Sequence, residues 1–227
     1  MGAPSTTLEL AVVDVQTVAR YTMPGDGIIL KGAESALLNP LIRLGQTGAL
    51  RDLPGRQIPL SICWELAGYT HVQMSLGEAG VIEHYRPHTR FKHWEHNVGR
   101  EFIIVRPKPE FAPSVGEEQA LRDAAYNAND DLELKAPYSV RELFYYGRWV
   151  AKYFGGLQKL FLHVTFDMLF KSGRGNVCSG QFWKWWIEAG FFNYLEEGNR
   201  DRRPEAWYPA RYLIDDRIQL VKRVKLV

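Results

Sequence analysis

Residues 69–85 read YTHVQMSLGEAGVIEHY, and the organisation of the chain is read outward from them. Two runs of alternating polar and apolar residues are separated by Gly77, Glu78, Ala79 and Gly80, the signature of a β-hairpin. In the first run His71, Gln73 and Ser75 share one face of a strand, and Val72, Met74 and Leu76 share the other. A three-residue loop Gly77-Glu78-Ala79, with glycine supplying the unusual dihedrals, places Glu83 of the second run on the face of His71. Glu83 could then accept from one imidazole nitrogen and leave the other to face a nucleophile. A plainer reading makes His71 a solvated edge position and Glu83 a partner in cross-strand surface pairing.

Around this hairpin the first half of the chain reads mainly as strands. PGDGIIL (24–30) is a turn leading into a short apolar strand, and REFIIVRPK (100–108) is a strand ended by its prolines. LLNPLIRLG (37–45) reads as one or two helical turns, and TGALRDLPGRQIPL (47–60) as a surface loop. From about residue 115 the period becomes helical. GEEQALRDAAYNAN (116–129) is acidic in its first turn, and SVRELFYYGRWVAKYF (139–154) opens on a capping box of Ser139 and Glu142. Further helices are expected over LQKLFLHVTFDMLFK (157–171) and SGQFWKWWIEAG (179–190), and a last strand over DRIQLVKRVKLV (216–227). Strands first, helices next and a final strand predict an α+β fold.

The 227 residues are expected to form a single domain with a sizeable core. A formal net charge of +2 offers no electrostatic footprint for nucleic acid, so no nucleic-acid partner is expected. Two cysteines do not make a disulfide framework. No basic-then-apolar leader opens the sequence, and no run approaches eighteen uninterrupted apolar residues. The expectation is a cytoplasmic protein, or one exported by a route that needs no cleaved signal.

Cys178 stands in NVCSGQFWKWW (176–186), where a helix begins. Phe182, Trp185, Trp186 and Ala189 fall on one apolar stripe, and Gln181, Lys184 and Glu188 make the only polar face. A residue at such a helix start meets unpaired backbone N–H groups and a partial positive charge, which favour a thiolate and can bind an oxyanion. The plainer reading is a small buried hydrophobe. Cys63 is read as a core or insertion residue. HYRPHTRFKHWEH (84–96) holds His84, His88, His93 and His96, but no Cys-x-x-Cys or His-Glu-x-x-His accompanies them. It is read as a solvated strand and loop rim, with no metal and no cofactor. The aromatic, lysine-flanked helices between 144 and 194 are core, or else a groove or membrane contact for an acyl chain.

PGDGIIL, LIRLGQTG, YTHVQMSLGEAGVIEHY and NVCSGQFWKWW together resemble the circularly permuted branch of the NlpC/P60 papain-like superfamily. The resemblance covers most of residues 20–106 and 176–216. It implies a papain-like core with an antiparallel, barrel-like sheet packed on helices. Cys178 would then be the nucleophile, His71 the general base and Glu83 its orienter, at the family's spacing, with Asp26 a structural cap. The stretch 52–66 stands as an insertion ahead of the His71 strand, 115–190 as a helical region, and Gly180 and Gln181 depart from the family's pattern. The resemblance also implies hydrolysis of a peptide amide, first of all in bacterial cell-wall peptide, by an enzyme that could be an exported antibacterial effector met by an immunity or inhibitor protein. A lipid amide or ester hydrolase or acyltransferase, and a non-catalytic binding module on the same scaffold, are the alternatives.

Overall fold

The computed structural model describes residues 8–32, 38–53, 55–85, 87–137, 178–192 and 208–227. The helices expected over 139–154 and 157–171 lie outside these residues. Strands β1 (Leu10–Val13), β2 (Gly27–Lys31), β3 (Tyr69–Ser75), β4 (Val81–Tyr85), β5 (His88–Lys92), β6 (Glu101–Pro107) and β7 (Ile218–Leu226) form one sheet in the order β1-β7-β6-β2-β3-β4-β5. The described helices are α1 (Val15–Tyr21), α2 (Leu38–Arg51), α3 (Leu60–Leu66), α4 (Glu117–Glu133) and α5 (Cys178–Glu188). The fold is α+β, as the pattern of elements predicts.

The expected antiparallel, barrel-like sheet is corrected to a mixed and open one. β1 and β7 pair in parallel, whereas β2–β3, β2–β6, β3–β4, β4–β5 and β6–β7 are antiparallel. Closure would require β1 to meet β5, but these strands lie at opposite edges. The outer edge of β5 is instead met by the chain just after α4, where Thr89 N–H donates to Ala136 O at 3.1 Å and His88 bridges Pro137. An edge covered in this way has its backbone groups satisfied without closure.

Two further corrections fall before β3. α2 runs through TGALR, read above as loop, because Ile42, Gln46, Ala49 and Leu50 make one buried stripe. Gln46 ties that stripe down, donating to Tyr69 O and accepting from Ala210 N–H. LSICWEL, at the end of the stretch read as an insertion, is a helix that turns Cys63 and Leu66 inward. Neither β1 nor α1 was foreseen; Asp14 caps α1 by accepting from Thr17 N–H at 2.6 Å.

The sheet separates two cores. On one face Ile29, Val72, Met74, Ile82, Ile103 and Val105 pack with residues of α2, α3, α4 and α5. On the other, Ile28, Leu30, Val81, Phe102, Ile104 and Val224 pack with Val18 of α1 and with Trp94. α5 approaches the first face at Gly27, where a Cβ would stand 2.7 Å from both Phe182 and Val105. Gly27→Ala is therefore expected to lower stability by about 1–3 kcal/mol through overpacking, read as a lower urea midpoint at unchanged slope.

Candidate functional site

The hairpin forms with the register its turn requires. Ser75 pairs with Val81, Leu76 N–H donates to Gly80 O at 2.8 Å, and Gly77–Ala79 form the turn. Gly77 and Gly80 take φ of +65° and +136°, a region that favours glycine. Gln73 faces Glu83 directly across the ladder, so His71 stands diagonal to Glu83 on the same face. Its Nε2 lies 3.0 Å from Glu83 Oε2, and both side chains are 2% exposed. The pair is thus buried, not a surface pairing.

Glu83 collects more than His71. Gln73 Nε2 donates to Oε2 at 2.9 Å, and Arg90 Nε and Lys92 Nζ reach Oε1 at 2.6 and 2.8 Å. Burial alone would push the Glu83 carboxyl up; the bonds from His71, Lys92 and Gln73 outweigh it and hold the group far below the usual carboxylate range. An ionised carboxylate only accepts, so the proton of a neutral His71 must sit on Nε2, and Nδ1 becomes the basic nitrogen. The Tyr85 ring lies edge-on to His71 at 5.5 Å, and the Arg90 guanidinium lies over the far ring of that pair, 4.3 Å from the Tyr85 centroid.

Cys178 is the first residue of α5 and is buried. The helix behind it is held more tightly than its sequence suggests. Gln181, expected on the polar face, is buried and donates to Asp131 Oδ2 of α4 at 2.5 Å, beside Trp185 Nε1 at 2.6 Å. Trp183, off the expected stripe, is fully buried and stacks on Phe192 at 4.8 Å. Trp186 Nε1 donates to Gly25 O, and Tyr212 Oη donates to Ser179 O next to the cysteine. Lys184 and Glu188 remain outward as an i,i+4 pair.

The structure brings His71 and Glu83 together, and starts α5 at Cys178, within the core on the other face of their strands. His71 pairs across β2 with Leu30, and Gln73 with Ile28, so both face the α1 and Trp94 side. α5 packs on the other face, with Phe182 against Gly27. The β3–β4 ladder ends at Gln73–Glu83, and His71 and Tyr85 flank the point where the strands part.

The other expected positions resolve as follows. Asp26 is fully buried, accepts from Met23 N–H at 2.8 Å and pairs with both Nε and Nη2 of Arg106, a structural role as expected. Cys63 is fully buried in α3, donates to Ile58 O at 3.6 Å, and has its thiol pushed up by burial. Cys63 is thus expected to resist iodoacetamide in the folded protein and to react on unfolding, which peptide mapping would show. The stretch 84–96 is not a solvated rim throughout: His84 is buried with Nδ1 2.7 Å from Thr89 Oγ1, and Thr89 and Trp94 are buried too. His93 and His96 are exposed. Among the described residues no three His, Cys, Asp or Glu side chains gather to hold a metal, and no helix is long and apolar enough to cross a membrane.

Sequence reading placed Gln73 on the face of His71 without its bond to Glu83, and missed Arg90, Lys92 and Asn97. The signal for Arg90 and Lys92 was alternation, since HTRFK puts them on one face, opposite Glu83 and Val81. Asn97 lies in a short turn, Trp94–Asn97, and carried no pattern. Compared with known proteins, the chain matches no protein-family model and no curated sequence.

Proposed function

We propose that the protein is a cysteine hydrolase acting on an amide bond, with Cys178 as nucleophile, His71 as general base and Glu83 as its orienter, on a papain-like core in circularly permuted order. The observation that carries this reading is the buried His71–Glu83 bond, with Glu83 held ionised by Arg90, Lys92 and Gln73. A carboxylate fixed in that state orients the ring and steadies the imidazolium formed when the base takes a proton. In the reaction Nδ1 of His71 takes the Cys178 proton, Sγ attacks the carbonyl, and the same nitrogen protonates the leaving amine. Water then releases the acyl group. The reaction requires Sγ and Nδ1 to come within hydrogen-bond reach at the parting of β3 and β4, a contact that can tighten only when substrate is bound. By the resemblance to the permuted NlpC/P60 family the preferred substrate is bacterial cell-wall peptide, which would suit an exported effector.

The test incubates wild type and Cys178→Ala with purified peptidoglycan and with acylated lipids, and identifies products by mass. A new amine terminus from peptidoglycan, formed by wild type alone, is the expected result. Lipid products would favour the acyl hydrolase or acyltransferase reading; of its aromatic region, 144–177 lies outside the described residues, and Phe182, Trp183, Trp185 and Trp186 are buried core. One observation favours the non-catalytic reading, a binding module: α5 and His71 occupy different faces of the sheet. Equal product from wild type and Cys178→Ala would mean that Cys178 is not the nucleophile, and no product from either on every substrate decides for the binding module.

A further inference from the structure

We propose that Gln73 and Asn97 are positioning residues, an amide relay that sets the hydrogen bonding of Glu83 and through it the protonated nitrogen of His71. The proposal rests on the reading of His71 as the base. Its starting point is the charge on Glu83. An ionised carboxylate cannot donate, so the end of the Gln73 amide turned to Oε2 has to be its NH2 group, at 2.9 Å. The Gln73 carbonyl then points away and needs a donor of its own, which Asn97 Nδ2 supplies at 2.8 Å. Donation runs from Asn97 to Gln73 to Glu83, and Glu83 accepts in turn from His71.

The relay is dry and anchored. Gln73 and Asn97 are each 1% exposed, so water does not compete for their bonds. Asn97 closes the turn Trp94–Asn97, where its carbonyl accepts from Arg100 N–H, and Trp94 Nε1 fastens that turn to Gly77 O of the hairpin loop. Asn97 Oδ1 is buried with no hydrogen-bond partner among the described residues, so the donor end of this side chain is the one the site uses. The two oxygens of Glu83 are held differently. Arg90 and Lys92, which grip Oε1, reach solvent, whereas His71 and Gln73 on Oε2 do not. Without Gln73 the carboxylate pivots about Oε1, and Oε2 leaves the His71 Nε2–H.

The test reads the ring directly. In 15N-labelled protein the His71 ring N–H, assigned by its loss in His71→Ala, is expected to be protected from exchange and to sit on Nε2. Asn97→Asp has the same shape, but at neutral pH it offers only acceptors, so Gln73 must turn its amide round and present oxygen to Glu83. The ring signal is expected to broaden or vanish, and alkylation of Cys178 by iodoacetamide to slow by about tenfold. At lower pH the introduced carboxyl takes up a proton and donates again, so the signal is expected to return toward that of wild type at the same pH. A packing defect would not reverse in this way. Gln73→Leu is expected to lose the signal at every pH. An Asn97→Asp protein whose ring signal and alkylation rate stay within about twofold of wild type would overturn the relay. An alkylation rate indifferent to His71→Ala would instead overturn the hydrolase reading, while the ring signal still judges the relay on its own.

Discussion

Glu83→Ala is expected to lower folding stability by about 3 kcal/mol, measured by urea unfolding at neutral pH. The carboxylate answers four donors, from His71, Gln73, Arg90 and Lys92, in a site 2% exposed. Removing it leaves two amide and imidazole donors buried without an acceptor, and two cations without their anion. Arg90 is 39% exposed at its side chain and can turn to water, which keeps the loss at the lower end of what breaking a buried ion pair produces. Glu83→Gln separates charge from shape, and should recover packing but not the pairing with Arg90 and Lys92.

The same group gives a pH signature. Its folded pKa lies far below the ordinary value, so it stabilises the fold fully above the unfolded value of about 4.3. That stability is lost as pH falls through the acid range toward the folded pKa. The gap in stability between wild type and Glu83→Gln is thus expected to be constant near neutrality and to shrink steadily below about pH 4.3. A gap unchanged down to strongly acid pH would show that Glu83 is not held ionised by its neighbours.

Gly25→Ala is expected to be more damaging still, at about 4 kcal/mol, because three constraints meet at one backbone position. Gly25 has φ of +93°, its N–H donates to Ser75 O at 2.9 Å, and its carbonyl accepts from Trp186 Nε1 at 2.9 Å. A Cβ there would lie 2.1 Å from Leu121 O, a backbone atom of α4 that cannot swing aside. The residue therefore sets how closely α4 and α5 approach the start of β2, and an added methyl has to separate them. Gly99→Ala is the control. Its φ is +82° and nothing lies within 4 Å of the added carbon, so it bears only the dihedral strain, about 1 kcal/mol. Equal urea midpoints for the two variants would mean that the helices do not rest on Gly25.

Much of the site was legible because it is local. The hairpin 69–85 carries its own register: glycines at 77 and 80 dictate the turn, the turn dictates that Gln73 opposes Glu83, and period two then places His71 beside Glu83. β2, β6 and β7, the α4 helix and the start of α5 at the cysteine were likewise readable from apolar period and turn residues. α2 and α3 were misjudged because their glycines and prolines outweighed a helical stripe that only burial against β3 and the Pro209–Leu213 turn makes evident.

What the sequence determined by itself is β2, β3, β4, β6, β7, α4 and the start of α5, and the pairing of a histidine with a glutamate within one hairpin, since short-range sterics and side-chain alternation suffice for these. Only the tertiary structure decided the rest. The meeting of β1 with β7 makes the sheet mixed and open, Asp131 draws Gln181 inward, and Asn97 completes the shell behind Glu83. It also decided that Phe182 of α5 lies against Gly27 while His71 pairs with Leu30 of β2. Such contacts join residues far apart in the chain, and their geometry follows from how whole layers pack, which no local pattern encodes.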